Sequence, residues 1–204
     1  MTGSEGRRIA AYYDRLVDRY GHDPRACDYG SAASQAAKYR VLADVAPLEG
    51  RSVLDVGCGF ADYADFLEAR FPKVQYTGID LSRRMTEEAR RRRPDLEIVH
   101  ASILDWSDAR RFDVVSANGI FYLLGRDAPA LMRDLIARMY RLCDHAIAFN
   151  SLSTWASVHE PGEFYAEPRE ILEYCHTIAP WVTLRHDYLP HDFTVYLYRE
   201  RPGA

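Results

Sequence analysis

The sequence predicts a doubly wound α/β fold, and three observations carry the prediction. Short apolar runs alternate with segments of helical periodicity from residue 52 to residue 178. Several runs, among them Val53-Leu54 and Val114-Val115, are apolar at consecutive positions, as in strands buried on both faces. Two late runs, 182–186 and 193–198, lie close enough in sequence to finish the sheet as a β-hairpin. With 204 residues, 48% hydrophobic and 27% charged, the chain can bury the core of one domain and is too apolar for disorder.

In chain order, Ile9, Tyr12, Tyr13, Leu16, Val17 and Tyr20 fall at helical intervals, and Gly21 with Pro24 ends that helix. Residues 27–30 form a connector. A second helix over 31–45 turns Ala33, Ala36, Ala37, Val41, Leu42 and Val45 inward. Pro47 and Gly50 close it before the first strand, 52–56. A helix over 62–70 carries Tyr63, Phe66 and Leu67, and a second strand runs to Asp80. The helix over 82–93 has Ser82 to cap it and ends in Arg90 to Arg93 before Pro94, a solvated basic end. Strands over 96–100, 112–119 and 146–151 follow, with helices over 128–142 and 168–178. Segment 1–30 reads as a helical lid ahead of a single domain over 31–204.

After the first strand, Gly57 and Gly59 permit positive φ and let a ligand approach the backbone closely. The helix that follows turns its first N–H groups to the same place. A dinucleotide fingerprint needs Gly or Ala where Asp62 stands, and a phosphate loop needs a Gly-Lys-Ser/Thr ending, which is absent. The loop therefore reads as a nucleoside site without phosphates. Asp80 lies about 20 residues on, the interval at which a βαβ unit presents a carboxylate to a ribose.

Taken together, Asp55, Gly57, Gly59 and Ala61, the acid Asp80, the turn Ala101-Ser102-Ile103 and the strand Phe112-Asp113-Val114-Val115 resemble the class I S-adenosylmethionine-dependent methyltransferases over roughly residues 30–200. The resemblance implies a Rossmann-like seven-stranded sheet ordered 3-2-1-4-5-7-6 with one antiparallel strand. It also implies S-adenosylmethionine as cofactor and S-adenosylhomocysteine as product. By position it sets Gly57 and Gly59 near the methionyl part, with Asp55 and Cys58 also binding the cofactor, Asp80 on the ribose, Leu81 and Ile103 against adenine, and Ser102 at the adenine amino group, where many members carry aspartate. Ala61 replaces the usual third glycine and narrows the space beneath the ligand. Tyr29-Gly30-Ser31, Gly119-Ile120-Phe121 and His186-Asp187-Tyr188 are similar to small bacterial members, which implies Lys38 at the methionyl carboxylate.

In open α/β sheets ligands bind beyond the carboxyl ends of the strands. Asn118, Tyr122, Asn150 and Trp155 emerge there, Asn118 on the cofactor side and Asn150 and Trp155 on the substrate side. Tyr12, Tyr13, Tyr20 and Tyr29 offer an aromatic wall suited to a cation, with plain core packing as the competing reading for Tyr13 and Tyr20. A sulfonium is already an activated leaving group, so alignment matters more than side-chain chemistry, and a base is needed only for a protonated nucleophile. His22, His159 and His191 are base candidates; His191, in the loop between the last two strands, is preferred, with Tyr122 beside it.

The expectation is transfer of a methyl group to nitrogen or oxygen of a small-molecule acceptor. An RNA or protein methyltransferase and a non-catalytic S-adenosylmethionine sensor are the alternatives. A net charge of −4 and a pI near 6.0 give no electrostatic footprint for nucleic acid. The four cysteines lack metal-ligand spacing, so no metal is expected and the thiols read as reduced. No run reaches the roughly 18 apolar residues of a membrane helix, so the expectation is a cytoplasmic protein, monomeric or homodimeric.

Overall fold

The computed structural model describes residues 3–28, 31–107 and 110–203. Five strands run parallel: β1 (Ser52–Val56), β2 (Gln75–Asp80), β3 (Glu97–His100), β4 (Phe112–Ala117) and β5 (Cys143–Leu152). β7 (Asp192–Tyr198) enters antiparallel between β5 and β6 (Trp181–Leu189). The resulting order, β3-β2-β1-β4-β5-β7-β6, is the expected one. The helices are α1 (Ser4–Tyr20), α2 (Ala32–Ala43), α3 (Asp62–Arg70), α4 (Arg83–Arg92), α5 (Ala128–Leu142) and α6 (Pro168–Ile178). No helix is long and apolar enough to cross a membrane among the described residues.

The two faces of the central strands feed two cores, because successive side chains point opposite ways. Leu54, Val115, Ile147 and Phe149 pack with Met132, Leu135, Ile136 and Met139 of α5 and with Ile171 and Cys175 of α6. Val53, Val114, Ala146 and Ala148 pack with Val41 and Leu42 of α2 and with Tyr63 and Leu67 of α3. The strands between are buried on both sides, which is why they carry no alternation of polar residues.

Helix α1 begins earlier than its apolar periodicity suggests and lies along α4. Asp14 accepts hydrogen bonds from the Ser82 hydroxyl at 2.6 Å and the Arg84 N–H at 3.2 Å. Ser82 also caps α4, accepting from the Met85 N–H. The arginine run is engaged rather than solvated. Arg92 reaches Asp62 at 3.0 Å, Arg93 reaches Asp65, Glu68 and Asp95, and Arg90 donates to the Ile98 carbonyl, so most of the run ties α4 to α3 and β3. Only Arg91, bonded to Glu88 one turn back, projects from the helix as a solvated end would.

Candidate functional site

At the carboxyl end of β1 the backbone turns through Gly57 (φ 76°) and Gly59 (φ 53°), conformations that glycine adopts without strain. The turn is pinned from β2. Gly57 N–H donates to the Ile79 carbonyl at 2.8 Å, and Gly59 N–H donates to Asp80 Oδ2 at 2.8 Å. Asp80 Oδ1 accepts from the Ser82 N–H at 2.7 Å. Burial pushes the Asp80 carboxyl up, and the two N–H donors hold it down in part. Each oxygen keeps acceptor capacity beyond these bonds.

Behind the loop, Asp55 is buried and accepts from the Tyr76 hydroxyl at 2.7 Å. Burial pushes its carboxyl up to about 7, against the stabilising Tyr76 bond. Ala61 takes a left-handed φ of 63°, is fully buried in the core cluster that also holds Leu67 and Ala64, and does not line the cavity described below. It therefore does not narrow the ligand space as expected.

The loop, Asp80 and the ends of β3, β4 and β5 enclose a cavity of about 660 Å³, within the usual range for small-molecule sites. Asp55, Gly57, Cys58, Gly59, Asp80, Leu81, Ser102, Ile103, Asn118 and Lys38 all line it, as do Tyr13, Tyr122 and His191. A carboxylate with spare acceptor capacity, apolar Leu81 and Ile103 and a glycine turn open to the cavity match the needs of a nucleoside with a vicinal diol. Ser102 Oγ accepts from the Leu104 N–H at 3.2 Å.

Lys38 is buried, not a surface lysine. Its ammonium lies 2.7 Å from Asp192 Oδ2, and Tyr188 donates to the other oxygen of Asp192 at 2.5 Å. Burial pushes the Asp192 carboxyl up, and the Lys38 ammonium works against it. Tyr13, on α1, pairs its hydroxyl with that of Tyr122 at 2.7 Å. Tyr122 donates to Asp28 at 2.9 Å, and Tyr12 donates to the same oxygen at 2.9 Å.

Three substrate-side expectations fall elsewhere. Tyr12 meets the cavity only through Asp28. Asn150 is fully buried behind the wall, accepting from the Gly119 N–H at 2.7 Å and donating to Asn118 at 2.6 Å, so it braces the loop instead of lining the cavity. Trp155 is 58% exposed and lies against His186, ring centroids 5.0 Å apart, outside the cavity. Tyr20 packs in a side cluster with Phe60 and Met85, and Tyr29 lies outside the described residues. Among the other base candidates, His22 bonds Asp62 at 2.9 Å and His159 stacks on Tyr165. Spacing gave no signal for Asp28 or Glu163, both in the cavity wall.

A protein-family model described as a methyltransferase domain matches residues 53–145. Among curated proteins, a trans-aconitate 2-methyltransferase of Rhodopseudomonas palustris is 30% identical over 68% of this chain and 65% of its own length. One of Afipia carboxidovorans is 36% identical over 40% of this chain, and the match spans only about a third (32%) of that relative. In fold, the chain resembles the DhpI complex with S-adenosylhomocysteine (TM-score 0.71, 16% identity, 99% of this chain and 100% of that one). It also resembles the magnesium protoporphyrin IX methyltransferase of Synechocystis with bound S-adenosylhomocysteine (TM-score 0.69, 12% identity, 97% and 100%).

Proposed function

We propose, from the premise that this chain belongs to the class I S-adenosylmethionine-dependent methyltransferases, that it transfers a methyl group to nitrogen or oxygen of a small-molecule acceptor. The observation that carries the reading is Asp80: a carboxylate fixed by two backbone N–H groups and facing a cavity of about 660 Å³ across a positive-φ glycine turn.

S-adenosylmethionine supplies, when bound, a methyl group on a sulfonium that needs no further activation. Asp80 accepts the two ribose hydroxyls, and charge-assisted bonds make that contact specific. Gly57 and Gly59 let the methionyl part lie on the backbone, where Asp55 and Cys58 back the loop. Leu81 and Ile103 hold the adenine between apolar faces, with Ser102 and Asn118 as polar edges. Lys38 reaches the methionyl carboxylate from its pairing with Asp192. In the transfer, a carbon–nitrogen or carbon–oxygen bond forms as the carbon–sulfur bond breaks, and the electron pair stays on sulfur. An acceptor that arrives with an N–H or O–H releases one proton, for which His191 stands in the cavity wall; Tyr122, whose hydroxyl stays protonated and donates to Asp28, orients the acceptor rather than taking the proton. Segment 1–30 serves as the lid over the domain formed by 31–204, and by covering the cavity it excludes water from the transfer.

Small acceptors figure in the names of the relatives: trans-aconitate in two, magnesium protoporphyrin IX in another. The test is titration of the purified chain with S-adenosylmethionine and S-adenosylhomocysteine by calorimetry, then methyl release against pooled amines, guanidines, carboxylic acids and phenols. Saturable binding with turnover on one pool is expected. No binding of either nucleoside overturns the proposal.

A further inference from the structure

We infer that the acceptor carries a protonated amine or guanidinium and that Asp28 is the residue that selects it. The inference rests on the methyltransferase reading and narrows its acceptor.

The first argument is the direction of the hydrogen bonds. Tyr122 has one hydroxyl proton and gives it to Asp28. Tyr13, 2.7 Å from Tyr122, must then be the donor of that pair. Tyr12 also gives its proton to Asp28. All three hydroxyl protons at this wall are therefore directed toward the Asp28 carboxylate. What remains for a ligand is acceptor capacity, on the Asp28 oxygens and the Tyr13 hydroxyl, and a ligand must bring the donors. An ammonium or guanidinium is a group of donors only.

The second argument is charge. The partners of Asp28 are neutral hydroxyls, and among the described residues no Lys, Arg or His forms an ion pair with Asp28, Glu160 or Glu163, which line the same cavity. Glu163 acts on the same place: burial first, then the bond to Asp28 and the charges of Asp28 and Glu163, push the Tyr12 hydroxyl up to about 12, against the weaker opposing charge of Arg15. Among the described residues no arginine lines the cavity, the lining lysine, Lys38, is matched by Asp192, and His191 is the remaining basic group. A tricarboxylate such as trans-aconitate meets like charges here, and a cation meets unmatched ones. One ring completes the wall: Tyr13 lines the cavity, held edge to face by Tyr12 behind it with centroids 5.4 Å apart, and aromatic faces attract cations.

The test uses the full chain loaded with S-adenosylhomocysteine and two probes of nearly equal shape, 2-phenylethylammonium and 3-phenylpropanoate, titrated by calorimetry, with trans-aconitate as a third. The cation is expected to bind at least tenfold more tightly than either anion. Asp28→Asn, which keeps an acceptor oxygen and tolerates the left-handed backbone at this position (φ 57°), is expected to reduce that preference below threefold and to leave S-adenosylhomocysteine affinity within twofold. Asp28→Glu is expected to restore part of it. Equal or reversed preference, no binding of the cation, or an unchanged preference in Asp28→Asn overturns the inference. Failure of S-adenosylhomocysteine to bind the wild-type chain is a separate result, which overturns the methyltransferase reading itself.

Discussion

Replacing Asp80 by alanine separates the fold from the site more cleanly than any other single change. In the folded chain the carboxylate is bonded to Gly59 N–H and Ser82 N–H at 2.8 and 2.7 Å, so its loss leaves two backbone donors to find water in the cavity. Burial of the charge opposes that loss, because it costs free energy that the variant recovers. The two effects offset, and the change in folding stability is expected to stay within about 1 kcal/mol. Nucleoside binding has no such offset. On the proposed placement the ribose hydroxyls lose a charged acceptor worth about 1.5–3 kcal/mol, which is expected to weaken affinity about 10- to 160-fold. Calorimetry with S-adenosylmethionine reads the affinity and a urea melt reads the fold. An affinity within twofold of wild type in a variant that melts normally would show that the cavity holds its ligand somewhere else.

Asp55 gives the chain a pH signature. Its carboxyl sits near 7 when folded and near 3.8 when exposed, so between those values the folded state keeps a proton that the unfolded state has released. Stability is therefore expected to fall as pH rises from about 4 to about 7 and to level above it. Asp55→Asn should flatten the curve and exceed wild type at pH 8 by at most about 4 kcal/mol, and urea melts at pH 5 and 8 that show wild type gaining stability with pH refute this. Tyr76→Phe should destabilise the chain by about 1–3 kcal/mol at pH 8 and less at pH 5, since the lost bond is to the ionised form; equal losses at both pH values count against it. Lys38→Met leaves Asp192 charged and buried, and a loss of about 3–5 kcal/mol in the urea melt is expected; a loss under 1 kcal/mol would mean that the pair is solvated. Asn150→Ala orphans the Gly119 N–H and one Asn118 oxygen contact, with an expected loss of about 1–3 kcal/mol and lower turnover through the displaced Tyr122; full turnover in a folded variant argues against the brace.

The α/β class and the glycine-loop wall were legible because they depend on local signals: consecutive apolar residues, glycines at fixed spacing and an acid at the end of the next strand; the sheet order came only with the family resemblance. Side-chain direction beyond the strands was not. Asn150 and Trp155 both follow the apolar part of β5, but the strand continues to Leu152 and pairs with β7, so Asn150 turns inward opposite Thr194 and Trp155 leaves on the outer side. No local pattern shows the partner of Lys38; the acid that pairs with it sits at the start of β7, near the other end of the chain. Asp28 had no signal of its own, since its two tyrosine partners come from α1 and from the loop after β4. The arginine run looked solvated for the same reason: most of its carboxylate partners lie on α3 and in the turn before β3, and only Glu88 is on its own helix.

The pairing of Lys38 with Asp192, joined by the Tyr196 hydroxyl on the Val41 carbonyl, sets an order of events in synthesis. Strands β1 to β4 and the glycine turn leave the ribosome well before β7 does, and they contain the parts proposed to grip a nucleoside. The wall that closes the cavity needs the last strand to thread between two edges and reach back to α2. Such long-range closure is slow and comes late. A nascent chain halted before residue 192 would thus hold half of a binding site open to water, with the β5 edge unpaired and α2 unattached, a state suited to chaperone capture rather than to chemistry.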